Sequence, residues 1–316
     1  LAGIGLNLFV FLLSPLILKL TKLNQNPKKA RTLTMLLSSF APGISCFPIV
    51  EEFLGSEYLI KASLIDFGNK LFVLIFLLGF SFQIHYLTQD IKDKKNKISP
   101  KTILKSVFTE PINFVLLISI GILFLGYTID QIPMVFIEFV TRMKETLTPL
   151  VLIFIGLSII FAKEALKEII PVLFIRAGIC LFFTISAVNF FGMSSGDDIL
   201  FYLSLSLSSV SFWPFAHMTL IDEVEKDAKI KNRTFDIGFG LNFLAYSLPF
   251  STILILSLIS QRGNVLNPTS IYTLSLILTV LGMIMLAVNT QIEKYKKLNP
   301  STPKKWSLTY FFQSLL

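Results

Sequence analysis

The sequence predicts an all-α polytopic membrane protein built from two inverted five-helix repeats, of which the first is truncated. Three observations lead to this fold class. Hydrophobic residues make up 53% of the 316 residues and charged residues only 15%, which is far from the balance of a soluble domain. The apolar residues form nine long runs. A set of polar and small residues also recurs at an offset of 170 residues between the two halves of the chain.

The apolar runs have the lengths expected of membrane-spanning helices. A helix that rises 1.5 Å per residue needs about 17 to 25 residues to cross about 30 Å of hydrocarbon. The fifth run is short, and the second contains two prolines. The nine predicted spans lie near residues 3–23, 32–50, 58–86, 112–128, 146–161, 170–192, 198–221, 235–260 and 270–290.

The basic residues are concentrated in alternate loops, which is a topology signal. Lysines and arginines follow the first, third, fifth and ninth spans, whereas the intervening turns are acidic or neutral. The positive-inside rule therefore places these loops, including the Lys-rich segment 88–105, in the cytoplasm. This distribution explains the net charge of +8 without a nucleic-acid partner. We expect a multi-pass protein of the cytoplasmic (inner) membrane, surrounded by the lipid bilayer.

The recurring residues indicate a duplicated unit. The offset aligns spans one, two and three with spans six, seven and eight, and five spans per repeat would give the copies opposite orientations. Partners for spans four and five would lie before Leu1, so we expect two further amino-terminal helices of about 60 to 70 residues. The matched pairs are Ser38-Ser39 with Ser208-Ser209, Glu52 with Asp222, Asp66 with Asp236, and Gly68 with Gly238.

This organisation divides the chain into four parts. Residues 1–87 are the remainder of the first repeat, residues 88–105 a cytoplasmic linker, and residues 106–260 the second repeat. Residues 261–316 hold the ninth span and a basic, aromatic tail, which favours an interfacial anchor beyond that span. The ninth span is either an additional membrane helix or a segment on the membrane surface.

Spans two and seven carry prolines within apolar sequence and are predicted to break near mid-membrane. Proline removes a backbone donor and clashes with the preceding turn, at a cost of about 3 kcal/mol inside a helix. A broken helix offers amides to an anion and carbonyls to a cation, whereas a plain proline kink is the alternative. The candidate substrate-binding residues are Ser38, Ser39, Pro42, Gly43, Ser45, Pro48, Ser208, Ser209, Ser211, Pro214 and His217.

Further polar residues inside spans are candidates for ion or proton coupling. An intramembrane carboxylate is a functional candidate by default. Lys70 lies four residues after Asp66, and Arg233 three residues before Asp236, so helix-face ion pairs are the alternative. For asparagines inside a span, hydrogen bonds between helices are the alternative. The candidates are Asp66, Asn69, Asp236 and Asn242.

Other notable residues have simpler interpretations. Arg176 lies in span six near its predicted cytoplasmic end, where a snorkelling side chain needs no further function. Segment 222–234 is a charge run that we interpret as a solvated cytoplasmic loop. Cys46 and Cys180 are predicted to be free thiols, and no metal-ligand spacing occurs, so we expect no metal and no cofactor. Motifs of soluble enzymes are missing too, so we do not expect an enzyme.

Short motifs in both halves match those of one family. Gly43 and Pro48 lie in a run similar to the pattern Asn-x-Gly-(Phe/Ile)-x-Gly-x-Pro, and Gly55 and segment 64–70 follow. The corresponding motifs of the second half are Glu110-Pro111, Pro149-Leu150 and Gly156-Leu157-Ser158. Together they resemble the auxin efflux carrier family of membrane transport proteins over roughly residues 1–260. Ala41 departs from the pattern, because the family often has Asn there.

The resemblance implies an architecture and a function. Proteins of that family have ten helices in two inverted repeats, with helices four and nine broken and crossing at the substrate site. Spans one to eight would be helices three to ten, and span nine has no counterpart. We therefore expect a secondary active transporter, or permease, that moves a small organic anion such as a carboxylate by alternating access. Coupling to H⁺ or Na⁺ is a hypothesis that involves Asp66 or Asp236.

Two other function classes stay open at this point. One is a sodium-coupled transporter of the bile acid symporter type, which would require sodium. The other is a non-transporting membrane sensor that uses a transporter fold to bind a lipid or metabolite. Whether a second copy of the chain is a partner, as in a homodimer, also stays open.

Overall fold

The computed structural model describes residues 2–89, 118, 121–122, 124–127, 131–158, 163–193, 195–261 and 267–298, and no strand occurs among them. A short 3₁₀ turn, Leu23–Gln25, lies between the first two helices, and a π-helical stretch, Phe72–Leu77, joins two others into one rod. The helices are α1 (Ala2–Leu20), α2 (Pro27–Leu37), α3 (Pro42–Ser45), α4 (Phe47–Leu54), α5 (Ser56–Leu71), α6 (Leu78–Thr88), α7 (Met134–Ser158), α8 (Lys163–Phe190), α9 (Gly196–Ser206), α10 (Phe212–Asp227), α11 (Ile237–Ile259) and α12 (Pro268–Leu298).

Five of these helical rods are long and apolar enough to cross a membrane. They correspond to the predicted spans one, three, six, eight and nine, which confirms the all-α membrane class. Length and apolar composition carry this conclusion, since about 20 apolar residues match the hydrocarbon thickness. The five rods are Ala2–Leu20, Ser56–Thr88, Leu166–Phe190, Ile237–Ile259 and Pro268–Ile292.

The predicted spans two and seven are each divided between shorter helices. The chain leaves helical geometry at residues 38–41, between α2 and α3, and again at residues 207–211, between α9 and α10. Pro42 occupies the first position of α3, where its missing N–H is not needed, and Ser211 caps α10 by accepting from Trp213 N at 3.3 Å. Local sequence therefore starts a new helix after each interruption.

Several predicted features fall outside the described residues. These are most of span four, the Lys-rich linker from residue 90 onward, and the aromatic tail from residue 299. The fifth predicted span, 146–161, lies largely within α7, but α7 begins earlier, at Met134. The segment before residue 146 contains charged residues and therefore was not part of the predicted apolar run.

The loops that sequence places on the cytoplasmic side lie at one end of the bundle. Lys29, near the start of α2, pairs with Glu168 of α8 at 2.5 Å. Arg31 Nε donates to the carbonyl of Thr234, before α11, at 2.8 Å. Gln89, at the end of α6, donates to the backbone between α10 and α11 at 2.9 Å. Contacts thus join four alternate loops, as a single orientation of the chain requires.

Helix α12, the ninth predicted span, packs closely along α8. A Cβ added to Gly178 would lie 2.7 Å from the carbonyl oxygen of Ser275, and one added to Gly282 would lie 2.7 Å from that of Pro171. Ser275 Oγ also donates to the Gly178 carbonyl at 2.8 Å. Small residues that let two backbones approach are typical of helix contacts inside membranes. This packing favours an additional membrane helix over a surface segment.

The apolar core consists mainly of two clusters that meet at a polar layer. The first cluster gathers α1, α2, the π-helical stretch, α6, α10 and the first half of α11, and the second gathers α4, α9, α12 and the second half of α11. Helix α8 runs through both clusters and carries Arg176 between Ile175 of the first and Ala177 of the second. The interrupted segments 38–41 and 207–211 reach this same layer.

Candidate functional site

Segments 38–41 and 207–211 are hydrogen-bonded directly to each other in the interior. Ala41 N donates to the carbonyl of Ser209 at 2.8 Å. Ser209 N donates to Ser45 Oγ at 3.0 Å, and Ser211 N donates to Ser39 Oγ at 3.2 Å. The four serines that take part here and in the capping of α10, Ser39, Ser45, Ser209 and Ser211, are all buried. Each segment, together with the start of α3, therefore satisfies some of the backbone groups that the interruption of the other leaves free. We call segments 38–41 and 207–211, bound in this way, the junction.

Arg176 of α8 holds both segments of the junction. Its Nε donates to the Leu37 carbonyl at 3.1 Å, Nη2 to the Ser39 carbonyl at 2.9 Å and Nη1 to the Ser208 carbonyl at 2.9 Å. The guanidinium also lies 4.3 Å from the centre of the Phe40 ring. Only 3% of Arg176 is exposed, so its interpretation as a snorkelling residue was wrong. The side chain stays inside because three backbone carbonyls accept its hydrogen bonds.

The remaining residues of the predicted substrate site differ in burial and in distance along the chain from the junction. Pro42 and Pro214 are buried beside the junction, whereas Gly43 and Pro48 are exposed on the surface of the described bundle. Ser38 is buried and donates to the carbonyl of its own helix one turn earlier, at 3.1 Å. His217 is 3% exposed, and neither ring nitrogen has a hydrogen-bond partner within the described part of the chain. The junction thus brings the serines together but not Gly43 and Pro48.

Asp66 lies in a buried polar cluster between α1 and α5. Its Oδ2 pairs with Lys70 at 2.9 Å, as the spacing of four residues allows, and its Oδ1 accepts from Asn69 Nδ2 at 2.8 Å. Asn69 Nδ2 also donates to the Phe40 carbonyl at 2.7 Å, and Asn7 Nδ2 donates to Asn69 Oδ1 at 2.8 Å. The cluster therefore connects Asp66 to the junction through Phe40. A π-helical stretch begins directly after α5, and such stretches are frequent at functional sites.

Asp236 and Asn242 have different surroundings from Asp66 and Asn69. Asp236 is half-buried at the amino end of α11, where it accepts from the backbone at 3.0 Å and its own N–H donates to Thr32 Oγ1 at 2.9 Å. The alternative, an ion pair with Arg233, is not formed among the described residues, because Arg233 binds Asp222 instead, at 3.4 Å. Asn242 is half-buried on α11. Asp236 is thus a helix cap.

The residues related by the 170-residue offset do not all share an environment. The two serine pairs lie in segments that bind each other across the junction. Glu52 is exposed, however, whereas Asp222 is buried in ion pairs. Gly68 is packed beneath α1, but Gly238 is exposed. Only the serine pairs therefore have matching positions in the structure.

A second buried polar cluster lies at the end of the bundle where the alternate loops meet. Glu225 is fully buried and accepts from His85 Nδ1 at 2.8 Å, Gln89 Nε2 at 3.0 Å and Thr234 N at 2.9 Å, and also from Thr234 Oγ1. Arg31 then binds the carbonyl of Thr234. The interpretation of segment 222–234 as a solvated loop was wrong at Glu225. The carboxylate is buried because four donors from two elements converge on it.

Of the residues in these clusters, Asn7 was not singled out from the sequence, and Arg176 was noted there without a function. Asn7 is fully buried inside an otherwise apolar helix, and a polar residue at such a position is itself a signal. Arg176 lies at the middle of the 28-residue helix α8, which is the depth at which a charge is most costly. Among the described residues no group of three or more His, Cys, Asp and Glu side chains is arranged to hold a metal ion.

No protein-family model, no curated protein and no solved structure matches this chain. The resemblance to the auxin efflux carrier family therefore stays a prediction. Function must be argued from the chemistry of the junction and of the two buried clusters.

Proposed function

We propose that this chain is a secondary active transporter of a small organic anion, of the auxin efflux carrier type, in the cytoplasmic membrane. The observation that carries the proposal is the junction, in which two non-helical segments bind each other between two apolar core clusters. Non-helical backbone at membrane depth is tolerated only where it is buried in protein or lines a cavity. Discontinuous helices at the midplane are typical of transporter substrate sites.

In the proposed mechanism, spans two and seven are broken helices of two inverted repeats that cross at the junction. Residues 38–45 and 208–214 would form the substrate site, and one helix bundle would rock against the other around it. Helix α10 begins at Phe212 beside the junction, and the positive end of its dipole favours an anion there. The junction hydrogen bonds between Ser39 and Ser211 and between Ser45 and Ser209 would then stabilise one of the alternating states.

Coupling to H⁺ or Na⁺ is proposed to involve Asp66 rather than Asp236. Asp66 is 4% exposed and reaches the junction through Asn69 and the Phe40 carbonyl. A proton on Asp66 would weaken its ion pair with Lys70, so protonation and the position of α5 are linked. Asp236, by contrast, is occupied in capping α11.

A sodium-coupled transporter is the second candidate function, and one observation favours it. The side-chain oxygens of Asn7, Asn69 and Asp66 lie in one buried cluster, and Asn7 Oδ1 has no hydrogen-bond partner among the described residues. Oxygen atoms from amides and a carboxylate are suitable ligands for a hard cation. Sodium dependence of transport separates the two candidates.

The proposal is tested by uptake in proteoliposomes that contain the full chain. Labelled acetate, benzoate and succinate are offered under an imposed proton gradient, a sodium gradient or neither. We expect accumulation of at least one carboxylate under one of the gradients. In Asp66→Asn the gradient dependence should be lost while equilibrating uptake persists. Asp236→Asn tests the other aspartate, and Asp227→Asn, at an exposed position, is the control.

The results of this experiment test the transport function and the coupling role of each aspartate separately. Absence of uptake for every carboxylate tested would reject the transporter function and favour a membrane sensor. Unchanged pH and sodium dependence in Asp66→Asn would remove Asp66 from the coupling mechanism. Loss of coupling in Asp236→Asn alone would transfer the role to that residue.

A further inference from the structure

Arg176 carries a positive charge that no described carboxylate neutralises. The side chain is 3% exposed, in the polar layer between the two apolar clusters. Its recorded partners are three backbone carbonyls and the face of the Phe40 ring, and it takes part in no ion pair among the described residues. Carbonyl dipoles stabilise a cation but do not cancel its charge. A buried charge without a counter-ion is costly, and such charges are therefore normally paired.

Not every N–H group of the Arg176 guanidinium is used in these hydrogen bonds. Arginine has five N–H groups in a planar fork, and three of them donate to the carbonyls of Leu37, Ser39 and Ser208. The two remaining N–H groups, one on each terminal nitrogen, have no acceptor among the described residues. Arginine often binds the two oxygens of a carboxylate through N–H groups on two of its nitrogens.

The position of Arg176 makes it sensitive to both interrupted segments. It binds the chain before Ala41 and the chain before Ser209, and these two residues are hydrogen-bonded to each other. An anion at the free donors would therefore contact a side chain that holds both segments. Binding there would affect the balance between closed and open forms of the junction.

We propose that Arg176 binds the carboxylate of the transported anion and selects carboxylates over their neutral analogues. This inference rests on the proposed function, because it names the residue that recognises the substrate. It also gives the buried charge a counter-ion, because the substrate supplies a negative charge that no described carboxylate supplies. Lysine at this position would keep the charge but lose the planar pair of donors.

The test measures binding separately from transport. Melting temperatures of the purified full chain are recorded against increasing acetate, benzoate or succinate, and against acetamide, benzamide or succinamide, with chloride as an inorganic control. A ligand that binds the folded state raises the melting temperature, and the rise grows with the ratio of its free concentration to its Kd. We expect stabilisation by at least one carboxylate and by none of the amides. Chloride should give at most a small shift.

Variants then assign the effect to Arg176. Arg176→Gln should weaken carboxylate binding by about 30-fold or more, a loss of about 2 kcal/mol at 1.4 kcal/mol per tenfold. Arg176→Lys should weaken it by about tenfold, because the charge persists without the fork. Arg233→Gln, an arginine in the loop before α11, should bind as the unchanged protein does. If Arg176→Gln does not fold, the Arg176→Lys variant and the comparison of carboxylates with amides still test the inference.

The outcomes separate this inference from the proposed function. The inference would be overturned if the Arg176 variants bound carboxylates as tightly as the unchanged protein and differed only in a lower melting temperature without ligand. Arg176 would then have a purely structural role. The inference would also be overturned if amides or chloride stabilised the unchanged protein as strongly as carboxylates do. The same holds if no probe stabilised it. Carboxylate binding that depends on Arg176 without any uptake would instead uphold Arg176 and reject transport.

Discussion

Substitution of Gly178 by alanine should destabilise the protein by forcing α8 and α12 apart. The added Cβ would lie 2.2 Å from Thr279 Oγ1, 2.7 Å from the Ser275 carbonyl oxygen and 3.0 Å from Thr279 N. The hydroxyl of Thr279 sits on a rotatable side chain, but the other two atoms belong to the backbone of α12. Relief of the contact therefore requires a shift of one helix against the other.

The magnitude follows from two opposing effects. Alanine is favoured over glycine inside a helix by about 1 kcal/mol. Overpacking by one methyl group in a close contact costs about 1 to 3 kcal/mol, and the upper part of this range applies because backbone atoms must move. We expect a net loss of about 1 to 2 kcal/mol for Gly178→Ala. Gly79→Ala should gain up to about 1 kcal/mol, because no atom lies within 4 Å of its added Cβ.

The assay is the melting temperature of the detergent-purified protein, recorded for both variants at one heating rate. Gly178→Ala should melt below the unchanged protein, and Gly79→Ala at or above it. Adding Thr279→Ala to Gly178→Ala should restore only part of the loss, since the contact with the Ser275 carbonyl persists. If Gly178→Ala is as stable as Gly79→Ala, the close packing of α12 along α8 is refuted.

Two further predictions concern the buried clusters. Asn69→Leu removes three hydrogen bonds inside the bundle and should cost about 2 kcal/mol of stability, measured as a lower melting temperature, whereas Asn242→Leu on α11 should have a smaller effect. Glu225→Gln weakens the bonds from His85 and from the backbone before α11, and should cost about 2 to 3 kcal/mol in the same measurement. Glu223→Gln is its exposed control and should change stability by less than about 0.5 kcal/mol.

These two predictions can fail independently. Equal melting temperatures for the two asparagine variants would mean that Asn69 does not join α1, α5 and the junction. A fully stable Glu225→Gln variant would mean that the contacts of Glu225 do not hold the loop end of the bundle together.

The sequence predicted the membrane class and most of the rods, because apolar run length is a local property. It also pointed to the segments around Ser39 and Ser209, where helical geometry is interrupted. It failed where a residue's role depends on distant partners. The spacing of Arg233 and Asp236 allowed an ion pair as one alternative, but Arg233 binds Asp222 in the folded chain. Glu225 was assigned to a solvated loop, although His85 and Gln89 reach it from another helix.

By itself, the sequence determined that the chain forms apolar helices long enough to cross a membrane, and it predicted that two of the spans are interrupted near their prolines and serines. Only the tertiary structure decided what those interruptions contact. Arg176 binds carbonyls 139, 137 and 32 residues away along the chain, so no local pattern marks it as part of the junction. The physical reason is that a charge inside a bilayer is tolerated only through its partners, and partners distant in sequence are brought together by folding alone.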